Sequence, residues 1–168
     1  MIVAEKIAAW LHEKRIEIAF GIIGAGNATL WDAITRLGKT KLICTHHEQA
    51  AVMAAGAYYR ISGKICLALV TTGAGSTNAI TGVASAYMDS TPVIVISGNE
   101  ASKYIGADTR VWGVQGYGSY EMVKDCTKGA YRFKEGMQNF DYAMAKALKP
   151  RQGPVWIDIP KDVQSAAV

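Results

Sequence analysis

The sequence predicts an α/β fold in which a doubly wound, parallel sheet of about six strands carries helices on both faces and so forms three layers. Segments with strand-like and helix-like patterns alternate along almost the whole chain, as they do in folds built from β-α-β units. The runs at 64–71 and 92–97 are almost continuously apolar, which is typical of strands buried on both faces. A chain of 168 residues is long enough to form a single domain, 1–168, with a sizeable core.

Six short segments are predicted to be the strands of this sheet. They occur at 17–23, 41–45, 64–71, 92–97, 130–133 and 154–159. The glycine-rich stretch 99–118 has no periodic pattern, and we interpret it as a long loop. Long loops without regular structure are usually functional.

Helices are predicted between the strands from apolar periodicity and from residues that start or stop helices. In the first helix, Ile7 and Leu11 share one face, and charged residues lie elsewhere. Asn27 is expected to cap the start of the second helix, and Gly63 is expected to end the third. The six helices occur at 4–14, 28–37, 48–61, 77–88, 119–125 and 138–148.

The composition is that of an ordinary globular protein, since half of the residues are hydrophobic and 19% are charged. The net charge of +4 comes from lysines and arginines that are scattered from Lys6 to Lys161, so we expect no nucleic acid partner. No apolar stretch has the length of a membrane span. The N-terminus also lacks the pattern of a signal peptide, so we expect no membrane association.

The three cysteines, Cys44, Cys66 and Cys126, are odd in number and show no Cys-x-x-Cys spacing. Cys44 and Cys66 lie in apolar, strand-like runs. This arrangement favours buried, reduced thiols in a cytoplasmic protein over a disulfide framework or a zinc site.

Two of the predicted helices carry unusually small side chains. These residues are Ala50, Ala51, Ala54, Ala55, Gly56 and Ala57 in the third helix and Gly82, Ala84, Ser85 and Ala86 in the fourth. Helices without bulky side chains can approach a neighbour closely. That neighbour is either another element of the same domain or a helix of a second subunit, and the pattern leaves both open.

Glycine-rich loops follow the first and third predicted strands, at 24–26 and 73–75. The first loop fails the Gly-x-Gly-x-x-Gly dinucleotide pattern, because Thr29 stands where the third glycine belongs. The second lacks the Gly-Lys pair of a phosphate-binding P-loop. Both loops lie at the carboxyl ends of predicted parallel strands, where open α/β sheets bind ligands. Tight turns that need glycine are the alternative for either loop.

Glu48 opens the third helix between these loops, and its local sequence allows two interpretations. Thr45-x-x-Glu48 has the spacing of a capping box, in which the glutamate accepts a hydrogen bond from the amide at the start of the helix. The alternative is a functional carboxylate at the edge of the sheet. A His-Glu-x-x-His zinc motif is excluded, because Ala51 stands at the second histidine position, and we predict no metal ligands in this chain.

The order of these motifs closely resembles the pyrimidine-binding (Pyr) domain of thiamine diphosphate enzymes, specifically the acetolactate synthase group. The motifs are Thr-His-His-Glu-Gln-Ala-Ala at 45–51, Thr-Thr-Gly-Ala-Gly-Ser-Thr-Asn at 71–78, and Ala-Tyr-Met-Asp-Ser-Thr-Pro at 86–92 before an apolar strand. The group carries Arg-His-Glu-Gln-x-Ala around its glutamate, and this chain departs from it only in His46. The resemblance extends from Ile2 to about Gln164 and implies a flavodoxin-like form of the fold.

The resemblance implies roles for seven residues. Glu48 would activate the cofactor. A carboxylate that is hydrogen-bonded to a ring nitrogen of the aminopyrimidine favours its imino tautomer, and this tautomer takes the thiazolium proton. The residues that would bind the cofactor are Gly24, Thr72, Gly73, Ala74, Asn78 and Gln115. The chain departs from the group where Ile23 and Ala74 replace prolines. It departs again where Gly116 follows Gln115 in place of a glutamate, in a segment that lines the substrate end in that group.

The resemblance also implies partners. Full enzymes of the group add a middle domain and a diphosphate-binding domain whose Gly-Asp-Gly motif helps to hold Mg²⁺, and no Gly-Asp-Gly occurs here. We therefore expect the chain to contact only the pyrimidine end of thiamine diphosphate, to form a homodimer and to be inactive alone. It would belong to a longer enzyme that decarboxylates and joins 2-keto acids such as pyruvate, or to a decarboxylase with split subunits. The alternatives are a flavodoxin-like nucleotide or flavin module and a non-catalytic assembly subunit.

Overall fold

Six parallel strands form one sheet in the computed structural model, which describes residues 1–107, 115–133 and 138–168. The strands are β1 (Ile18–Gly21), β2 (Lys41–Cys44), β3 (Leu67–Val70), β4 (Ile94–Asn99), β5 (Gly129–Arg132) and β6 (Val155–Pro160). Their order across the sheet is β2-β1-β3-β4-β6-β5, and every neighbouring pair is parallel. The prediction of a parallel, doubly wound α/β sheet with about six strands is confirmed.

Seven α-helices lie among the described residues. They are α1 (Val3–Glu13), α2 (Ala28–Leu37), α3 (Glu48–Ser62), α4 (Ala74–Met88), α5 (Ser119–Met122), α6 (Gln138–Leu148) and α7 (Lys161–Gln164). Helix α2 has the predicted bounds, and Gly63 ends α3 in the left-handed conformation, as predicted. Helix α4 begins three residues before its predicted start, because Gly73 with a φ of +65° turns the chain directly into it. The pattern of the sequence does not predict α7, a single turn.

The stretch 99–118 is only partly a loop. Asn99 belongs to β4, which extends beyond the predicted end because its partner β6 continues to Pro160 and pairs with Asn99. Ser102–Tyr104 forms one turn of 3₁₀ helix. Residues 108–114 of this predicted loop lie outside the described part of the chain.

The two faces of the sheet are covered by different helices and different side chains. Helices α1, α2 and α6 pack on what we call the large-residue face, where the strands contribute side chains such as Leu69 and Ile96. Helices α3 and α4 pack on the small-residue face, where the strands contribute Ala68 and Val95. Neighbouring residues of one strand point to opposite faces. Both faces are buried, which explains why the runs in β3 and β4 are continuously apolar.

The small residues of α3 and α4 let these two helices touch each other. A Cβ atom on Gly82 of α4 would lie 2.8 Å from Cβ of Val52 and 2.9 Å from the carbonyl oxygen of Gln49, both in α3. These distances leave no room for a side chain at Gly82. Close packing inside the domain, one of the two explanations that the sequence leaves open, therefore accounts for this glycine.

The cysteines differ in exposure. All three are free thiols, and burial raises the pKa of the Cys66 thiol to about 12. Cys126 is partly buried, but Cys44 is exposed, so the prediction that Cys44 is buried is wrong. The reason is its position at the end of β2, which lies at the edge of the sheet.

The described part of the chain contains no helix that is both long and apolar enough to cross a membrane. Its longest helices, α3 and α4, have 15 residues each. At 1.5 Å per residue they are about 23 Å long, shorter than the hydrocarbon core of a bilayer.

Candidate functional site

The carboxyl ends of β1, β2 and β3 meet where the chain reverses its direction across the sheet. From β1 the chain passes to β2 on one side, and it then returns past β1 to β3 on the other side. Open α/β sheets bind ligands in the crevice at such a switch point. The segments that follow these three strands carry Gly24, Glu48 and Gly73. Predicted site residues from three separate parts of the sequence therefore start from the same edge.

Thr71, the first residue after β3, is the centre on which two loops converge. Gly26 donates its backbone N–H to Oγ1 of Thr71 at 3.1 Å. A Cβ atom on Gly24 would lie 2.6 Å from the same oxygen, and one on Gly75 would lie 2.6 Å from Cγ2 of Thr71. Gly24 and Gly75 are therefore required by close approach to Thr71. Thr71 has no signal in the sequence except its place beside the second glycine-rich loop.

Asn27 fixes the loop that follows β1. Its Oδ1 accepts a hydrogen bond from the N–H of Gly24 at 2.8 Å, and its Nδ2 donates to the carbonyl oxygen of Ile22 at 3.0 Å. Asn27 stands at the N-cap position of α2, as predicted, but its side chain makes no capping hydrogen bond because the loop uses its oxygen. From α7, the buried Gln164 donates to the carbonyl oxygen of Gly26 at 2.6 Å. No pattern in the sequence indicates that Gln164 reaches this loop.

Glu48 is the first residue of α3, and its carboxylate faces α4. Its Oε2 accepts a hydrogen bond from Nδ2 of Asn78 at 2.6 Å. The same Asn78 nitrogen lies 3.3 Å from Nδ1 of His47. A Cβ atom on Gly75 would lie 3.3 Å from Oε1 of Glu48, so the absence of a side chain there keeps this oxygen uncrowded. Among the described residues, no hydrogen-bond donor reaches Oε1.

The capping-box interpretation of Glu48 is wrong. The N-cap of α3 is His47, not Thr45, and no side chain caps this helix. The hydroxyl of Thr45 instead donates to the carbonyl oxygen of His47 at 3.0 Å. The carboxylate of Glu48 is turned toward Asn78 on the neighbouring helix. A carboxylate at the first position of a helix is favoured by the positive end of the helix dipole.

Gln115 lies across the turn at Gly73. A Cβ atom on Gly73 would lie 3.1 Å from Cβ of Gln115. The hydroxyl of Thr72 is 2.6 Å from the carbonyl oxygen of Gln115 and 3.1 Å from Oδ1 of Asn99. The hydroxyl has one hydrogen, so it donates to one of these oxygens at a time. Thr72 is buried, whereas the Gln115 side chain is exposed.

All seven predicted site residues lie at this edge of the sheet, in two groups joined by the loop after β3. One group consists of Gly24, Glu48 and Asn78, which lie around Thr71 and Gly75. The other group consists of Thr72, Gly73 and Gln115, and the exposed Ala74 begins α4 beside it. Within residues 1–107, 115–133 and 138–168, no three His, Cys, Asp or Glu side chains are close enough to hold a metal ion. The group therefore offers a carboxylate, an amide and glycine-rich backbone to a ligand.

Comparisons with known proteins match most of the chain. The family model of the N-terminal TPP binding domain of thiamine pyrophosphate enzymes matches residues 1–128. The chain is 39% identical over 163 residues to the acetolactate synthase large subunit of Buchnera aphidicola subsp. Schizaphis graminum. This alignment covers 95% of this chain and 28% of the relative. It is 34% identical over 171 residues to the acetolactate synthase isozyme 3 large subunit of Escherichia coli strain K12, which covers 98% of this chain and 28% of the relative.

A third relative gives the same result. The probable acetolactate synthase large subunit of Methanocaldococcus jannaschii is 36% identical over 168 residues, again covering 98% of this chain and 28% of the relative. The chain thus spans less than a third of the length of the curated relatives that it matches. The family match extends over most of the chain and includes the segments that carry Gly24, Glu48, Thr72 and Asn78. The chain belongs to the family of N-terminal TPP binding domains of thiamine pyrophosphate enzymes.

Proposed function

We propose that the chain is the pyrimidine-binding domain of a thiamine diphosphate enzyme that decarboxylates and joins 2-keto acids such as pyruvate. The similarity to acetolactate synthase large subunits supports this reaction class. The observation that carries the proposal is the carboxylate of Glu48 at the switch point of the sheet, held at Oε2 by Asn78 and free of donors at Oε1 among the described residues. Its free oxygen can share a proton with a ring nitrogen in a hydrogen bond.

The residues around Glu48 fit one end of the cofactor. A flat aminopyrimidine ring needs space beside the carboxylate, and at Gly75 no side chain stands next to Oε1 of Glu48, because a Cβ atom there would lie 3.3 Å from it. The amide of Asn78 orients the carboxylate. Gln115, Thr72 and Ala74 form the neighbouring wall, where a ring can be covered from water.

When bound, thiamine diphosphate supplies the electron sink for breaking and forming the bond next to the keto carbonyl. The role of Glu48 is to exchange a proton through Oε1 with a ring nitrogen, while Asn78 keeps Oε2 in place. In this proposal the loop at 24–26, which Asn27 and Thr71 hold by hydrogen bonds, would form a second wall beside the ring. The protein thus contributes position and proton transfer, and the cofactor contributes the difficult chemistry.

The diphosphate and Mg²⁺ belong to another domain or subunit in this proposal. Mg²⁺ prefers an octahedral set of oxygen ligands. The described part of the chain offers no cluster of three acidic, histidine or cysteine side chains. We therefore assign to this chain the pyrimidine end only, either within a longer enzyme or as a separate subunit, in a reducing compartment such as the cytoplasm.

Homodimerisation through α3 and α4 is part of the proposal. These helices carry exposed apolar side chains, with Met53 42% exposed and Met88 71% exposed. A shallow groove lies between the two helices and is lined by residues such as Gly56 and Ser85. Small and apolar residues together suit close packing against a second copy of the same helices.

Replacing Glu48 by glutamine tests the catalytic role directly. In the complete enzyme, meaning this chain with the domain or subunit that binds the diphosphate, Glu48→Gln should lower kcat by about three to four orders of magnitude, because the amide cannot take the proton. Steady-state kinetics and a thermal melt measure the change and the integrity of the fold. Glu13→Gln, which changes an exposed glutamate in α1, should leave kcat within twofold. Activity of Glu48→Gln within tenfold of the unmodified enzyme would remove the catalytic assignment.

Calorimetry tests the division of the cofactor between domains. Titration of this chain alone with thiamine diphosphate and Mg²⁺ should give no measurable binding or a dissociation constant above about 1 mM, because well-formed pockets bury most of a ligand and one wall does not. The complete enzyme, titrated in the same buffer, is the control. Binding to the lone chain in the low micromolar range would mean that a complete site exists here, and the proposal of a partial site would be withdrawn.

A further inference from the structure

A buried carboxylate lies behind the Gln115 wall of the site, and the proposed function does not use it. Asp158 in β6 is fully buried. Its oxygens accept hydrogen bonds from Nδ2 of Asn99 at 3.0 Å, from Oγ of Ser119 at 3.0 Å, and from Nε of Arg132 at 3.3 Å. Burial raises the pKa of Asp158, and the donors Asn99, Ser119 and Arg132 oppose that rise. A buried carboxylate is very costly unless it is paired in this way.

Asn99, at the end of β4, joins this carboxylate to the site. Its Nδ2 donates to Asp158 and to the carbonyl oxygen of Tyr117 at 3.0 Å. Its Oδ1 accepts from the N–H of Glu100 at 2.8 Å and faces the hydroxyl of Thr72 at 3.1 Å. Each end of the amide therefore faces groups of the opposite kind, which fixes its orientation.

The side-chain donors to Asp158 come from three places, and only one of them lies outside the sheet. Asn99 belongs to β4 and Arg132 to β5, and both strands already pair with β6 through their backbones. Ser119 begins α5, directly after the segment 115–118. Asn99 also holds Tyr117 of that segment. Asn99, which bonds to Tyr117, and Asp158, which bonds to Ser119, thus attach the Gln115 segment to the sheet at two points.

We propose that Asp158 and Asn99 are positioning residues that set where Gln115 lies across the Gly73 turn. The inference rests on the proposed function, since Gln115 forms one wall of the proposed cofactor and substrate site. The path runs from Asp158 through Asn99 to Tyr117, and from Asp158 through Ser119 to the start of α5, which directly follows the segment 115–118. Buried ion pairs are often replaceable by apolar residues without loss of stability. A network that the sheet does not need for its pairing therefore indicates a geometric role.

Hydrogen–deuterium exchange of this chain tests the attachment. Asp158→Asn keeps the shape but places an NH₂ group against donors, so the peptide covering Gln115 to Ser119 should exchange at least tenfold faster, and α1 should not change. Asp32→Asn removes the same charge from an exposed site and should leave both peptides unchanged. If Asp158→Asn does not fold, Ser119→Ala decides: it keeps the carboxylate and removes one attachment, and about threefold faster exchange in the same peptide is expected. Unchanged exchange in the folded variant would overturn the inference.

Kinetics of the complete enzyme separate positioning from a general loss of folded protein. In Asp158→Asn, a displaced Gln115 wall should raise the KM for the keto acid or for thiamine diphosphate at least fivefold. The kcat should stay within threefold, because Glu48 and Asn78 lie outside the network. A merely structural role would lower kcat through a smaller active fraction and leave both KM values unchanged, and that result would also overturn the inference. The proposed function is tested on a different residue. If the proposed function is wrong, Glu48→Gln keeps its activity, and the exchange results for Asp158→Asn do not change.

Discussion

The two faces of the sheet solve the same packing problem with different side chains, and only one of them leads to the proposed catalytic residue. On the large-residue face, Phe140 packs edge-on against Trp10 and Phe133, with ring centroids 5.2 and 5.3 Å apart. Bulk fills that space. On the small-residue face, α3 and α4 approach until Gly82 touches Val52. There the absence of bulk sets the distance between two helices.

That distance has a consequence at the site. Gly82 follows Asn78 by four residues in α4, and Val52 follows Glu48 by four residues in α3. Residues four apart lie on the same face of a helix, one turn from each other. The contact of Gly82 with Val52 is therefore one turn away from the 2.6 Å hydrogen bond between Asn78 and Glu48. Gly82 therefore lets the two helices that carry Glu48 and Asn78 approach each other closely, while aromatic side chains fill space on the other face.

Two neighbouring residues of β4 allow the first test of this comparison. Ile96 points to the large-residue face and Val95 to the small-residue face, and both are fully buried. Ile96→Ala should lower the free energy of unfolding by about 3 to 4 kcal/mol, and Val95→Ala by about 2 kcal/mol, because the larger side chain leaves the larger cavity. Urea denaturation measures both values. Equal losses would show that the two faces do not differ in their contribution to stability.

Two glycines on the small-residue face give the second test. Gly82→Ala should destabilise the chain by about 1 to 3 kcal/mol, because the new methyl group meets Val52 and the Gln49 carbonyl. It should also lower kcat of the complete enzyme, since it separates Asn78 from Glu48. Gly56→Ala is the matched control in α3, where a Cβ atom would lie 3.5 Å from Cγ2 of Thr91, an ordinary contact.

The control should change the free energy of unfolding in the opposite direction. Alanine is favoured over glycine inside a helix by about 1 kcal/mol, so Gly56→Ala should be neutral or stabilising. Denaturation curves and kcat of both variants would be measured together. If Gly82→Ala were as stable and as active as Gly56→Ala, the spacing of α3 and α4 would not control the hydrogen bond at Glu48.

The third and smallest effect concerns assembly. Ala54 in α3 and Ala9 in α1 are both half-buried alanines, one on each set of helices. If α3 and α4 form the proposed homodimer, Ala54→Trp should raise the dissociation constant at least tenfold, about 1.4 kcal/mol, because close-packed contacts tolerate added volume poorly. Ala9→Trp should leave it unchanged. Sedimentation velocity over a range of concentrations measures both. A monomer at high concentration for the unmodified chain would exclude a homodimer of this chain.

The fold could be predicted from the sequence because the patterns that indicate it are local or periodic. The apolar runs at 64–71 and 92–97 predict strands covered on both faces, and β3 and β4 lie there. Gly63 predicts the end of α3 from one residue. The strand ends were less accessible, because they depend on how far a partner strand continues. Asn99 belongs to β4 only because β6 reaches Pro160.

The residues of the candidate site could be predicted from the sequence, but the residues that hold them in place could not. Glu48 and the two glycine-rich loops stand out in the sequence through motif spacing and the resemblance to a family. The residues that hold them do not, because their partners are far away in the chain. Gln164 bonds to Gly26, and Asp158 to Asn99. An isolated glutamine or aspartate near the C-terminus has no pattern that indicates such partners.

The sequence by itself therefore determined the layers, the order of strands and helices along the chain, and the edge at which the site residues start. These depend on side-chain periodicity, on glycine and on capping, which act over a few residues. Only the tertiary structure decided that Glu48 bonds to Asn78 instead of capping its own helix, that Thr71 joins two loops, and that Asp158 lies behind Gln115. Those outcomes depend on distances between separate elements, and such distances are set by how closely the helices pack on the sheet.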